Sequence, residues 1–217
     1  MKEHPILFSE PMVNAILPGR KTQTRRVCKS AYNLDADAWA VCPARQTGWI
    51  AWFGQRSKNI ESFTKKAYEH GFSCPYGRPG DRLWVRETWK VGILSGRNLV
   101  DIHYRADGKI RVVGQPGPPF RYRSADPVAD IAKWRPSIFM PRWASRITLE
   151  ITEIRVERLQ EMSEADAQAE GFMPWTHRTE GKISARQQFV ELWNKINGKT
   201  HPWESNPWVW VMSFAKV

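Results

Sequence analysis

The segment Gly19-Arg20-Lys21-Thr22-Gln23-Thr24-Arg25-Arg26 gathers four cations and two hydroxyls into eight consecutive positions. In extended backbone, alternate side chains share a face. Thr22 and Thr24 then stand on one side with Lys21 and Arg25 opposite, unless the turn after Gly19 rotates Lys21. A lysine crowded by cations and partly desolvated has its pKa depressed toward neutrality. A neutral amine there can take the proton of a neighbouring hydroxyl. The same residues also suit a solvated basic loop that touches phosphates. Two carboxylates are candidates for an acid partner. Glu170 closes a predicted helix just before Gly171; Glu87 follows Arg86 on a predicted strand, where an ion pair with a nearby arginine is its expected role.

Charge and rings point the same way. Lys plus Arg number 33 against 22 Asp plus Glu, a net charge of +11 with a pI near 9.8, and such a surplus attracts polyanions. The chain holds 12 tryptophans. Trp84, Trp89, Trp134 and Trp143 lie among Arg82, Arg86, Arg135, Arg142 and Arg146, a mixture suited to stacking bases and gripping phosphates. Half or more of these rings are expected in a core. His70-x-x-x-Cys74 with Cys28 and Cys42 resembles half a zinc site, but Cys28 and Cys42 stand 14 positions apart and form no close second pair. Buried cysteines without metal are the expectation. No phosphate-loop, dinucleotide or His-Glu-x-x-His motif occurs, so neither nucleotide cofactor nor metal is expected.

The positioning elements follow from local pattern. Ser9 and Pro11 start a short helix with Met12, Ala15 and Ile16 on one face, and Gly19 ends it. Arg82 to Trp89 reads as a strand with Leu83, Val85 and Glu87 on one face, and a second strand runs from about Leu99 to Arg105. Trp49 to Phe53 is strand-like, and Ile60, Phe63 and Ala67 have helical spacing. A Pro/Gly-rich loop covers Gly114 to Pro119. Between Arg146 and Leu159, Ile147, Leu149 and Ile151 alternate, the phase slips, and Ile154 and Val156 resume it, which predicts a bulge. Ser163 with Asp166, and Ser184 with Gln187, predict two capped helices. The second should bury Phe189, Val190, Trp193 and Ile196; Trp208 to Phe214 closes the chain as a strand. With 217 residues, 41% hydrophobic, no apolar run long enough for a membrane span and only a short apolar stretch at the N-terminus, a single cytoplasmic domain is expected.

The helix with its Gly-Arg-Lys-Thr-x-Thr-Arg turn, the Pro79-Gly80-Asp81-Arg82-Leu83-Trp84-Val85-Arg86-Glu87 strand and the Ala169-Glu170-Gly171 helix end together resemble the ASCH-domain family of the PUA-like superfamily, most of all its longer phage and prophage members. The resemblance covers residues 1–27, about 75–105 and 142–217. It implies an α+β fold, a PUA-like mixed β-barrel with short flanking helices, interrupted by insertions at about 28–74 and 108–137. It also implies binding of RNA or a modified nucleoside. Small bacterial members are amidohydrolases acting on N(4)-acetylcytidine. Carried over by motif, Lys21 is the proton acceptor, Thr24 the nucleophile and Glu170 the proton donor, without a cofactor. Amide hydrolysis needs an activated nucleophile, a donor to the leaving nitrogen and a partner for the oxyanion, the last suited to Arg26 or backbone N–H groups. Arg20, Arg25, Arg26, Arg82, Trp84, Arg86 and Glu87 are the expected substrate-binding residues. The alternatives are a non-catalytic RNA-binding module and a metal-independent ribonuclease using the same basic cleft.

Overall fold

Strands outnumber helices in the computed structural model, which describes residues 1–28, 38–44, 48–54, 71–92, 99–114, 133–177 and 181–217. The first half runs β1 (Glu3–Leu7), α1 (Glu10–Ile16), β2 (Gln23–Val27), β3 (Ala38–Ala44), β4 (Gly48–Gly54), β5 (Gly71–Ser73), β6 (Arg82–Arg86) and β7 (Trp89–Val91). The second half adds β8 (Leu99–Tyr104), β9 (Ile110–Gly114), β10 (Thr148–Arg158), α2 (Glu164–Ala169), β11 (Trp175–His177), β12 (Gly181–Ile183), α3 (Ala185–Asn197) and β13 (Trp208–Lys216). The class is α+β. No helix among the described residues is long and apolar enough to cross a membrane.

The main sheet has five strands in the order β1-β6-β10-β13-β2. β1 pairs with β6 in parallel, and every other neighbour is antiparallel. Among the described residues the order stays open, and the strands do not close into the barrel expected from the resemblance. The two edges nevertheless approach each other, because the Arg26 guanidinium on β2 donates to the Leu7 carbonyl on β1 at 2.6 Å.

The phase slip in β10 is a bulge: the pairing with β13 shifts between Ile151 and Glu153. A strand's side chains alternate, so without the extra residue Ile154 and Val156 would turn away from Leu149 and Ile151. With it, all four join one core with Ile6, Phe8, Val13, Ile16, Leu83, Val85, Trp210, Met212 and Phe214. α2 and α3 cover the other face of β13, where Val209, Val211, Leu159, Ala167, Phe189 and Trp193 pack. Ile196, expected on the buried face of α3, is 65% exposed, because it lies in the helix's last turn. In α1, Val13 rather than Met12 is the most deeply buried residue, beside Ala15 and Ile16.

Both segments expected as insertions carry strands. β3, β4 and β5 form a three-stranded sheet between Cys28 and Cys74, which are themselves buried in the main core. Burial, the largest influence, pushes the Cys74 thiol up to about 12. β9 pairs with β8 and so belongs to the β7-β8-β9 sheet, which has its own core of Trp89, Val91, Val100, Ile102, Tyr104 and Met140. The helical spacing at Ile60 to Ala67, His70, the loop from Gln115 to Pro119 and the side chain of Cys42 lie outside the described residues.

Candidate functional site

Three backbone contacts bring the octapeptide into position. The Gly19 turn, at φ +83°, follows α1, and the Lys21 N–H donates to the Ala15 carbonyl at 3.0 Å. The Thr22 N–H donates to the Ala169 carbonyl at 2.8 Å, while the Thr22 carbonyl accepts from the Phe214 N–H at 2.8 Å. Lys21 therefore precedes the pleat of β2 and is oriented by the ends of α1 and α2. Within β2 the pleat applies. Arg25 and Val27 share the face of Val211 and Val209, and Thr24 and Arg26 share that of Met212 and Trp210.

α2 ends as a glycine-terminated helix. Gly171 has φ +101°, its N–H donates to the Gln168 carbonyl at 2.8 Å, and the Phe172 N–H reaches the Ala167 carbonyl at 3.2 Å, the paired bonds of a Schellman stop. A Cβ on Gly171 would meet the Ala15 Cβ at 2.8 Å and the Lys21 Cβ at 3.2 Å. Glycine is thus required twice over, by its dihedral and by the close approach of α2 to Lys21.

That approach places Glu170 against Lys21. The Lys21 ammonium donates to the Glu170 carboxylate (Oε2), to the Glu170 carbonyl at 2.9 Å and to the Gln23 carbonyl at 2.8 Å. Both residues are buried, at 2% and 4% exposure. Burial is the largest influence on Lys21 and lowers its pKa; the Glu170 charge and hydrogen bond pull it back up, and Arg26 and Arg25 push it further down. The direction is the one expected from cationic crowding, with desolvation as the leading cause.

Behind the pair lies an alternating charge network. The Arg25 side chain, 0% exposed, donates twice to Glu157 Oε1 at 3.0 and 2.6 Å and once to Gln23 Oε1 at 2.7 Å. It also stands 3.4 Å from Asp166 and 3.5 Å from Glu170 Oε1. Arg155 completes the network with bonds to Glu157 at 3.0 Å and Asp166 at 2.8 Å. Burial, the largest influence on Asp166, works to raise its pKa. The Ser163 hydroxyl and amide and the charges of Arg25 and Arg155 outweigh it and hold the carboxyl at about 2. Arg25, an expected substrate-binding residue, lines the cavity, and its guanidinium is paired with Glu157, Asp166 and Glu170.

A cavity of about 150 Å³ opens over this floor. Lys21, Thr24, Arg25, Arg26 and Glu170 line it together with Phe8, Phe172, Phe189 and Trp193, with Leu7 and Ile196 among the remaining residues. Phe189 and Trp193 stack at 5.8 Å and 29°. Arg26 and Lys21 lie 5.4 and 5.5 Å from the Phe8 ring centre. Glu170 Oε1 is buried with no hydrogen-bond partner among the described residues. Thr24 is buried in the same lining. Among the described residues no hydrogen bond engages its hydroxyl.

The other expected residues stand elsewhere. Arg20 is exposed beside α1, near the Asn14 carbonyl at 3.4 Å. Arg82, Trp84 and Arg86 lie on β6, away from the cavity lining, with Arg86 stacked over Trp84 at 4.6 Å. Arg86 sits in register with Leu7, itself a residue of the lining. Glu87 does form the ion pair expected of it: Arg146 donates to both its oxygens at 2.9 and 3.0 Å and also binds Asp107. Burial is the largest influence on Glu87 and raises its pKa, opposed by Arg146. Phe8 and Phe172 carried no motif and were not anticipated as walls. Phe189 and Trp193 were legible as a buried helix face, but not as a face that looks into a cavity. The chain matches no family model, no curated protein and no solved structure.

Proposed function

We propose that this chain is an ASCH-type, PUA-like domain whose cavity receives the base of an N-acylated cytidine, in RNA or as a modified nucleoside, and hydrolyses its amide. One observation carries the reading: Lys21 and Glu170, 149 positions apart, meet buried on the floor of a ring-walled cavity that Thr24 also lines. The size supports a single ring. A cavity of about 150 Å³ equals the engineered protein cavity that admits benzene. The near approach of β1 and β2 through Arg26 and Leu7 supports a barrel-like curl.

In the proposed reaction, Lys21 takes the Thr24 hydroxyl proton as Oγ1 attacks the acyl carbonyl. Arg26 faces the developing oxyanion. Glu170 gives a proton to the departing exocyclic nitrogen, leaving an acyl-threonine ester that water hydrolyses to free Thr24 and the acid. In the resting site all three ammonium hydrogens have acceptors, so Lys21 becomes a base only once its proton passes to Glu170 and the substrate reorganises the group. Catalytic hydrogen bonds commonly tighten only in the substrate complex.

The test is loss of the acetyl group from N(4)-acetylcytidine, abolished in K21A. Full turnover by K21A removes Lys21 from the mechanism. A second reading is favoured by those same three bonds: Lys21 acts as a clamp on the C-terminus of α2, where cations are stabilising, and the domain binds RNA without chemistry. It is supported instead if the wild type binds RNA with strong salt dependence and releases no acetate.

A further inference from the structure

Of the four tryptophans set among arginines, the described structure buries Trp84 and Trp89 and leaves Trp134 36% exposed. Two cations attend that ring. Lys90 Nζ lies 5.0 Å and Arg105 Cζ 5.9 Å from its centre. Trp134 is held in place by its neighbour, since Arg135 and Trp89 exchange backbone hydrogen bonds at 2.7 and 3.2 Å.

This cluster adjoins the cavity through α1. Arg105 Nε is 3.2 Å from the Glu10 carboxylate, and Asn14 Nδ2 donates to the Ala106 carbonyl at 2.7 Å. Glu10 begins α1 directly after Ser9, a residue of the cavity lining. On β1, Leu7 of the cavity lining stands in register with Arg86, and its carbonyl accepts from Arg26. A cavity sized for one ring leaves the sugar and phosphates of any nucleotide outside it, among these cations.

We infer that Trp134, Lys90 and Arg105 form a second base-stacking site, so that the ligand is a single-stranded polynucleotide with one base in the cavity and a neighbouring base on Trp134. The inference rests on reading the cavity as a nucleobase pocket, and it adds that a strand, not a free nucleoside, is what the protein grips. An exposed cation–π contact is weaker than base–aromatic stacking. A base therefore displaces one cation from the ring, and the freed cation remains beside the flanking phosphate. Glu10 offsets part of the Arg105 charge, which leaves Lys90 as the stronger phosphate partner.

The test is fluorescence anisotropy with a labelled, unmodified decamer of oligocytidylate, competed by cytidine monophosphate. The wild type should bind the decamer more tightly than the mononucleotide. W134A should weaken decamer binding about 5- to 150-fold, and W134F, which keeps a ring, should recover most of it. K90A/R105A should reduce the log–log salt slope by about 1.4, or about 0.7 per lost phosphate contact. Equal affinity for decamer and mononucleotide overturns the inference, as does equal weakening by W134A and W134F. Because the probe is unmodified, these outcomes are independent of acetyl release: turnover of the free nucleoside with no preference for the decamer defeats the second site alone.

Discussion

Replacing Lys21 by methionine keeps most of the stem and removes three N–H donors at one buried point. Among the described residues, Glu170 then retains only the Arg25 guanidinium, 3.5 Å from Oε1, and two carbonyls lose a partner. Breaking a buried ion pair from one side costs about 3–5 kcal/mol. At roughly 2–4 °C per kcal/mol for a chain of this length, the melting temperature of K21M should fall by about 6–20 °C. E170M should cost a similar amount, because it strands the ammonium. The double variant K21M/E170M removes both charges, and its loss should be smaller than the sum of the two by about 2–3 kcal/mol. Urea unfolding of the four proteins measures this coupling. Acetyl release, followed on the same samples, should be absent in all three variants, including the one whose stability recovers.

The pH dependence has a definite sign. Lys21 has a folded-state pKa below its ordinary 10.5, so between the two values the unfolded chain binds more protons and stability rises with pH. The stability of the wild type relative to K21M should therefore increase as pH climbs toward 10.5, and decline as pH falls through the folded value. Additivity of the two single losses to within about 0.5 kcal/mol, with a difference that does not change with pH, would refute the claim that this lysine and carboxylate form one buried unit.

Other outcomes follow from the same contacts. G171A adds a Cβ 2.8 Å from the Ala15 Cβ at a φ of +101°, and should lose about 2–4 kcal/mol in urea unfolding together with substrate affinity. T24V should stay within about 1 kcal/mol of wild type yet lose acetyl release by at least about 100-fold, since it removes the proposed nucleophile; wild-type turnover by T24V would exclude that role. Asp166, held at about 2, contributes stability that is complete above its ordinary 3.8 and lost as pH falls through 2, so in acid unfolding D166N should approach the wild type at the acid end. Glu87 has the opposite sign: its pKa is raised, so above 4.5 the wild type should lose stability relative to E87Q as pH rises through the folded value.

Whatever depends on near neighbours is legible in the order of the residues. The phase slip between Ile151 and Ile154 announced the β10 bulge, and Ser163 with Asp166 and Ser184 with Gln187 announced both capped helices. The cationic octapeptide marked the segment that enters the cavity, because its crowding is a property of consecutive residues. Tertiary structure alone decided which charges face water. Arg25 and Arg26 are adjacent and chemically identical, yet the pleat of β2 sends one into a carboxylate network and the other to the Leu7 carbonyl of β1. The meeting of Lys21 with Glu170, across 149 positions, depends on α2 returning to the end of α1, and on a glycine whose missing Cβ permits the approach. Local pattern encodes caps, faces and bulges, because they arise within a few residues. The partner of a buried charge is set by where distant segments return, and no spacing along the chain records that.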